Sequence, residues 1–123
     1  MPRILIVDDD TTIREMLDAV LSDEGYLTFQ AGNGRDGVEL AHEFQPHLIL
    51  MDIMMPVVDG AMAIGQLRRD PETRSIRVIA MSAGSTLLRN VDRLQADGVL
   101  AKPFDLEELL ANVAFQLRDV MSA

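Results

Sequence analysis

Four short apolar runs in this chain each stop at a polar side chain. Ile4-Leu5-Ile6-Val7 runs into Asp8-Asp9-Asp10, and Leu48-Ile49-Leu50-Met51 into Asp52. Val78-Ile79-Ala80-Met81 ends at Ser82, and Val99-Leu100-Ala101 ends at Lys102. Leu27 to Ala31 reads as one further strand. Between these runs the apolar spacing turns helical. Ile13, Met16, Leu17, Val20 and Leu21 mark a helix with Gly25 just past its end. Gly37 to Phe44 is a short helix with Val38, Ala41 and Phe44 on one side. A loop from Met54 to Gly60 leads into a helix over Ala61 to Arg69, stopped by Asp70-Pro71. Leu87, Leu88, Val91 and Leu94 mark another helix. The last carries Leu106, Leu109, Leu110, Val113 and Leu117 on one face, with Asp105 as its N-cap.

Five alternations of strand and helix imply an α/β fold, a doubly wound five-stranded parallel sheet with helices on both faces. The first and third strands lack polar alternation, as expected when both faces are covered. In such sheets ligands bind beyond the carboxyl ends of the strands. That edge would gather carboxylates, one hydroxyl and one ammonium, the parts needed to hold a divalent cation and a phosphoryl group.

The 123 residues fit one domain, large enough to bury a core without disulfides. The absence of cysteine excludes disulfides, thiolate catalysis and thiolate zinc sites. A net charge of −9 and the lack of a basic patch argue against direct nucleic-acid binding. No signal peptide or membrane span is visible, so a cytoplasmic protein with no membrane association is expected. The ten arginines carry no functional reading; the single lysine, Lys102, stands between an apolar run and Pro103.

Asp8-Asp9, Asp52, Met55-Pro56, Asp59-Gly60, Ser82 and Lys102-Pro103-Phe104, in this order and at strand ends, resemble the CheY-like receiver domain of two-component response regulators. The resemblance covers the whole chain. It implies a flavodoxin-like (βα)5 fold with strand order 2-1-3-4-5, and Asp52 as phosphoacceptor. A carboxylate can attack phosphorus and form an acyl phosphate. The resemblance further implies Mg²⁺ held by Asp9, Asp52 and the main-chain carbonyl of Met54, with Asp8 assisting directly or through water. Magnesium prefers oxygen ligands and would offset the repulsion between the acids and the incoming phosphate. Lys102 would pair with the phosphoryl group and Ser82 would donate its hydroxyl to it. A cis Lys102–Pro103 peptide is also implied. The protein would be a switch, not an enzyme on separate substrates, catalysing only its own phosphorylation and dephosphorylation. A histidine kinase or phosphotransfer protein would supply the phosphate. Partner binding would change over the face of the fourth helix, fifth strand and last helix, as a monomer or weak dimer. The expected organisation is a single receiver domain over 1–123 with no output domain.

Several residues have plainer readings. Asp10 directly precedes the first helix and reads as its cap. Asp59-Gly60 reads as a turn. His42 and His47 have no matching acid or metal-ligand pattern nearby and read as structural or exposed. The methionines read as core filler and loop packing, with Met54 and Met55 flanking the site. Phe115 falls opposite the apolar stripe of the last helix and offers a contact surface. Val99 stands where many receivers carry Tyr or Phe, so coupling of Asp52 phosphorylation to the outer face of strand five should be weaker or different. Met54 and Gly84 occupy positions that influence phosphate lifetime in the family.

Two other functions stay open. Asp8, Asp10 and Thr12 fit the D-x-D-x-T pattern of haloacid-dehalogenase-like phosphatases, with Ser82 and Lys102 as later partners. That reading gives Asp52 no role and lacks an acidic pair at a strand end after Lys102. The third is a receiver-like scaffold that is never phosphorylated.

Overall fold

The strand-like runs form a single five-stranded parallel sheet in the computed structural model, which describes residues 1–54, 59–83 and 95–121. The strands are β1 (Arg3–Val7), β2 (Leu27–Ala31), β3 (Leu48–Asp52), β4 (Arg77–Ala83) and β5 (Gly98–Lys102). Their order is β2-β1-β3-β4-β5. The described helices are α1 (Thr11–Asp23), α2 (Gly34–Phe44), α3 (Gly60–Arg69), α4 (Leu106–Gln116) and the short α5 (Arg118–Met121). The helix expected over Leu87–Leu94, the Met55-Pro56 pair and Gly84 lie outside the described residues.

Successive strand residues point to opposite faces, and the core divides accordingly. Leu5, Val7, Ile49, Met51, Val78 and Ala80 pack with Ala41 of α2 and with Ala63, Ile64 and Leu67 of α3. Ile4, Ile6, Leu48, Leu50, Ile79, Met81 and Leu100 pack with Leu17 and Leu21 of α1 and with Leu109 and Val113 of α4. All five residues of β3 are buried, which explains its lack of alternation. Each fully buried Leu or Ile contributes about 1.5–3 kcal/mol, so this two-sided burial sets the strand register.

The structure corrects the expected start of one helix and the apolar stripe of another. Helix α2 begins at Gly34, three residues before Gly37, because the Asn33 side chain accepts from the Asp36 N–H at 2.8 Å and caps it there. Gly37 is a packing residue inside that helix: a Cβ there would lie 2.9 Å from Val7 Cγ2 on β1. Leu106 is 49% exposed, so the inward stripe of α4 is Leu109 and Val113, with Leu110 partly buried beside them and Leu117 continuing it. Asp105 caps α4 as expected, accepting from the Glu108 N–H at 2.7 Å.

Candidate functional site: an acidic pocket at the sheet edge

Parallel pairing puts the polar ends of four strands side by side. Val7 pairs with Met51, so Asp8 and Asp52 are the next residues on adjacent strands. Asp52 pairs with Met81, which places Ser82 one step beyond on β4. Lys102 pairs with Ala83 and completes the row on β5. Its peptide bond to Pro103 is cis.

Carboxylate oxygens of Asp8, Asp9 and Asp52 lie within 4.8 Å of one another. Asp8 and Asp52 are buried, and Asp9 is exposed at the mouth. Lys102 Nζ donates to Asp8 Oδ2 at 3.0 Å and to Asp52 Oδ2 at 3.5 Å. The other oxygens of the buried pair are held by main-chain N–H groups. Asp10 N–H donates to Asp8 Oδ1, and Met54 N–H to Asp52 Oδ1, each at 2.9 Å. Three acids facing one ammonium leave an excess of negative charge in a place poor in water. The donors are all hard oxygens, which fits a divalent cation such as Mg²⁺.

The electrostatics follow from this crowding. Burial pushes the Asp52 carboxyl above its ordinary value, and the Asp8 charge adds to the rise. The Met54 N–H and the Lys102 ammonium pull the other way without cancelling it. For Lys102, burial works against the charged form, but the Asp8 and Asp52 carboxylates outweigh it and the net shift is upward. The ammonium therefore stays charged at neutral pH.

Helix α3 abuts this pocket through Asp59-Gly60, and here the expectation of a mere turn is corrected. Asp59 is the N-cap of α3, accepting from the Met62 N–H at 2.8 Å. Gly60 is the first helical residue and rests on the end of β3. A Cβ at Gly60 would lie 2.2 Å from the Asp52 carbonyl oxygen and 2.6 Å from Ile53 Cα. Only the lack of a side chain lets the helix start this close to Asp52.

Of the residues expected at the site, Asp8, Asp9, Asp52 and Lys102 converge. Ser82 is 1% exposed at the end of β4, and among the described residues its hydroxyl makes a long bond of 3.5 Å to the Ala83 carbonyl. Met54 follows Asp52 on the loop, its side chain 65% exposed and its N–H turned to the carboxylate. Asp10 stands apart as the cap of α1, accepting from the N–H groups of Thr12 and Ile13. Beside the ammonium opens a largely apolar hollow of about 340 Å³ lined by Ile13, Met16, Ala83, Lys102, Pro103 and Phe104.

His42 departs from expectation. Its ring nitrogens lie 3.2 Å from Asp70 and 3.2 Å from Glu72, acids that sequence distance hid. His47 is structural as expected, its Nδ1 accepting from the Arg3 N–H at 2.9 Å. Phe115 is 59% exposed, with the Arg118 guanidinium 4.0 Å above its ring. The arginine that sequence reasoning passed over is Arg14, whose Nη1 donates to the Asp8 carbonyl at 2.7 Å. Its one available signal was its place a turn into the helix that follows the acids.

The family described as the response regulator receiver domain matches residues 4–114. The chain is 42% identical over 120 residues to the DNA-binding dual master transcriptional regulator RpaA of Synechocystis, covering 96% of this chain and 50% of that protein. It is 42% identical over 115 residues to protein PilH of Pseudomonas aeruginosa, covering 92% of this chain and 95% of that one. The chain thus spans half the length of RpaA and nearly all of PilH. Among solved structures it resembles the receiver domain of the sensor histidine kinase PA1611 of P. aeruginosa, with a magnesium ion coordinated in the active-site cleft. That match has a TM-score of 0.87 at 28% identity, over 94% of this chain and 97% of that one. These matches give the phosphatase alternative no support, and Asp10, which that reading needs for catalysis, caps α1. Among the described residues no helix is long and apolar enough to cross a membrane.

Proposed function

The chain belongs to the response regulator receiver family, and from that membership we propose that Asp52 is the residue phosphorylated. The protein is a phosphorylation-dependent signalling switch. Receiver domains are phosphorylated by histidine kinases or phosphotransfer proteins. The observation that carries the residue assignment is the meeting of Asp8, Asp9 and Asp52 within 4.8 Å, with Lys102 on the two buried acids.

Asp52 Oδ1 is engaged by the Met54 N–H at 2.9 Å, whereas Oδ2 carries the longer 3.5 Å bond from Lys102 and is the oxygen that attacks once that bond is exchanged. A lone pair of Oδ2 forms the bond to phosphorus as the phosphorus–nitrogen bond of the phosphohistidine donor breaks, returning its electron pair to the imidazole. Asp8, Asp9, Asp52 and the Met54 carbonyl would hold Mg²⁺, which when bound neutralises the carboxylates and polarises phosphoryl oxygens. Lys102 exchanges its bonds to the acids for one to the new phosphoryl group. Ser82 trades its long main-chain bond for a shorter one to a phosphoryl oxygen. Because Ser82 pairs with Ala101, that shift carries the change to β5 and to the face beside it. The hollow along Ile13, Met16 and Phe104 gives a phosphodonor protein apolar area next to Asp52. The chemistry assigned is limited to phosphorylation and dephosphorylation of this chain.

Labelling with acetyl phosphate and Mg²⁺ tests the assignment. Wild type takes up one acyl phosphate, cleaved by hydroxylamine, and Asp52→Asn takes up none. Full labelling of Asp52→Asn with loss in Asp8→Asn would transfer the nucleophile to Asp8 and overturn it.

A further inference from the structure

The turn from β1 to α1 supplies two of the three carboxylates, so its shape decides where they point. Asp8 has no exposed surface and is held at four places. Its N–H donates to the Ala31 carbonyl at 3.2 Å. Its two carboxylate oxygens accept from Asp10 N–H and Lys102. The fourth hold is on its main-chain carbonyl, which accepts from Arg14 Nη1 at 2.7 Å. That carbonyl shares a rigid peptide plane with the N–H of Asp9, so fixing it fixes how the chain enters Asp9.

The guanidinium is itself braced. Arg14 Nε donates to Gln30 Oε1 at 3.0 Å, and Gln30 Nε2 donates to Asp18 Oδ2 at 2.6 Å. Asp18 Oδ1 also accepts from the Thr28 hydroxyl at 3.1 Å.

We propose that Arg14 is a positioning residue for the cation site: by holding the Asp8 carbonyl it aims the Asp8–Asp9 peptide so that three carboxylates share one ion. The proposal rests on the reading of Asp8, Asp9 and Asp52 as the Mg²⁺ ligands. Charge and positioning have opposite signs here. A guanidinium beside the pocket repels an incoming cation, so simple removal of its charge favours Mg²⁺. Loss of a support behind metal ligands weakens binding, typically about 10–100-fold.

The test is Mg²⁺ binding by titration calorimetry, with urea unfolding in the absence of Mg²⁺ alongside. Arg14→Met is expected to weaken Mg²⁺ binding about tenfold or more. Arg14→Lys keeps one donor and is expected to fall between it and wild type. Leu67→Ala opens a cavity under α3, on the face of the sheet away from α1, and leaves Arg14, Gln30 and Asp18 untouched. It is expected to lose stability while keeping an Mg²⁺ affinity close to wild type. Affinity equal to or tighter than wild type in Arg14→Met overturns the proposal, as does the same result in Arg14→Lys should Arg14→Met not fold. Equal weakening in Leu67→Ala also overturns it, because general loosening then explains the effect. Wild type that binds no Mg²⁺ removes the metal-site reading itself, and is thereby told apart from failure of Arg14 alone.

Discussion

Replacing Lys102 with methionine keeps most of the aliphatic stem and removes the ammonium that faces Asp8 and Asp52 at 3.0 and 3.5 Å. At an effective dielectric constant of about 20, unit charges at these separations attract by about 5.5 and about 4.7 kcal/mol. The cost of burying the ammonium offsets part of this, and breaking a buried pair costs about 3–5 kcal/mol. Asp52 can limit the damage by taking up a proton. Starting from an ordinary value of 3.8, carrying that proton costs about 4.4 kcal/mol at pH 7 and about 1.6 kcal/mol at pH 5. Burial already raises the Asp52 carboxyl, and loss of Lys102 removes a force that lowers it. A carboxyl raised in the folded state gives its stability below the unfolded value and loses it as pH rises through the folded one. The defect of Lys102→Met is therefore expected to be about 3–4 kcal/mol at pH 7 and to shrink to about 1.6 kcal/mol or less at pH 5. Urea unfolding without Mg²⁺ at both pH values measures it, provided the dependence on urea is unchanged. A defect of equal size at both pH values, or none at pH 7, would refute the reasoning.

Asp52→Asn removes a charge that folding disfavours, so it is expected to raise the urea midpoint at pH 7 without Mg²⁺ and to lose that gain below the ordinary carboxylate range; a lower midpoint at pH 7 contradicts this. Gly60→Ala drives a methyl into the Asp52 carbonyl, so a stability loss of about 1–3 kcal/mol or more and reduced acetyl phosphate labelling are expected, and wild-type values of both would count against the packing argument. Met16→Glu places a charge in the apolar hollow and is expected to slow phosphotransfer from a donor protein while sparing labelling by acetyl phosphate; equal slowing of both would move the docking area elsewhere. Val99 packs against the core on the α2 and α3 side. Amide shifts on adding fluoroberyllate should therefore be small at Val99, and large shifts centred there would overturn the weak coupling expected of strand five.

The pocket was legible in the chain because it is built from strand ends. An apolar run and the polar residue that stops it are neighbours in sequence, and a parallel sheet carries every such end to one edge. Asp8, Asp52, Ser82 and Lys102 needed no knowledge of side-chain direction to be grouped. What stayed hidden depends on approach between distant elements. Gly60 looks like any turn glycine until α3 is seen resting on the Asp52 carbonyl. His42 looks isolated until the loop after α3 brings Asp70 and Glu72 to it. Leu106 fits the helical stripe by spacing, yet it is the first residue of α4 and half exposed. The same division explains how the pocket can act as a switch. The backbone forces three acids together with one ammonium between the buried two, so the charge is only partly balanced, and burial raises the Asp52 carboxyl further. A ligand shifts a conformation only by the difference in its affinity for the two states. The unbalanced charge supplies that difference. On the proposed reading, a cation and a phosphoryl group would complete an arrangement that the fold holds open at a cost, and their arrival would supply the free energy for moving Ser82, Lys102 and β5.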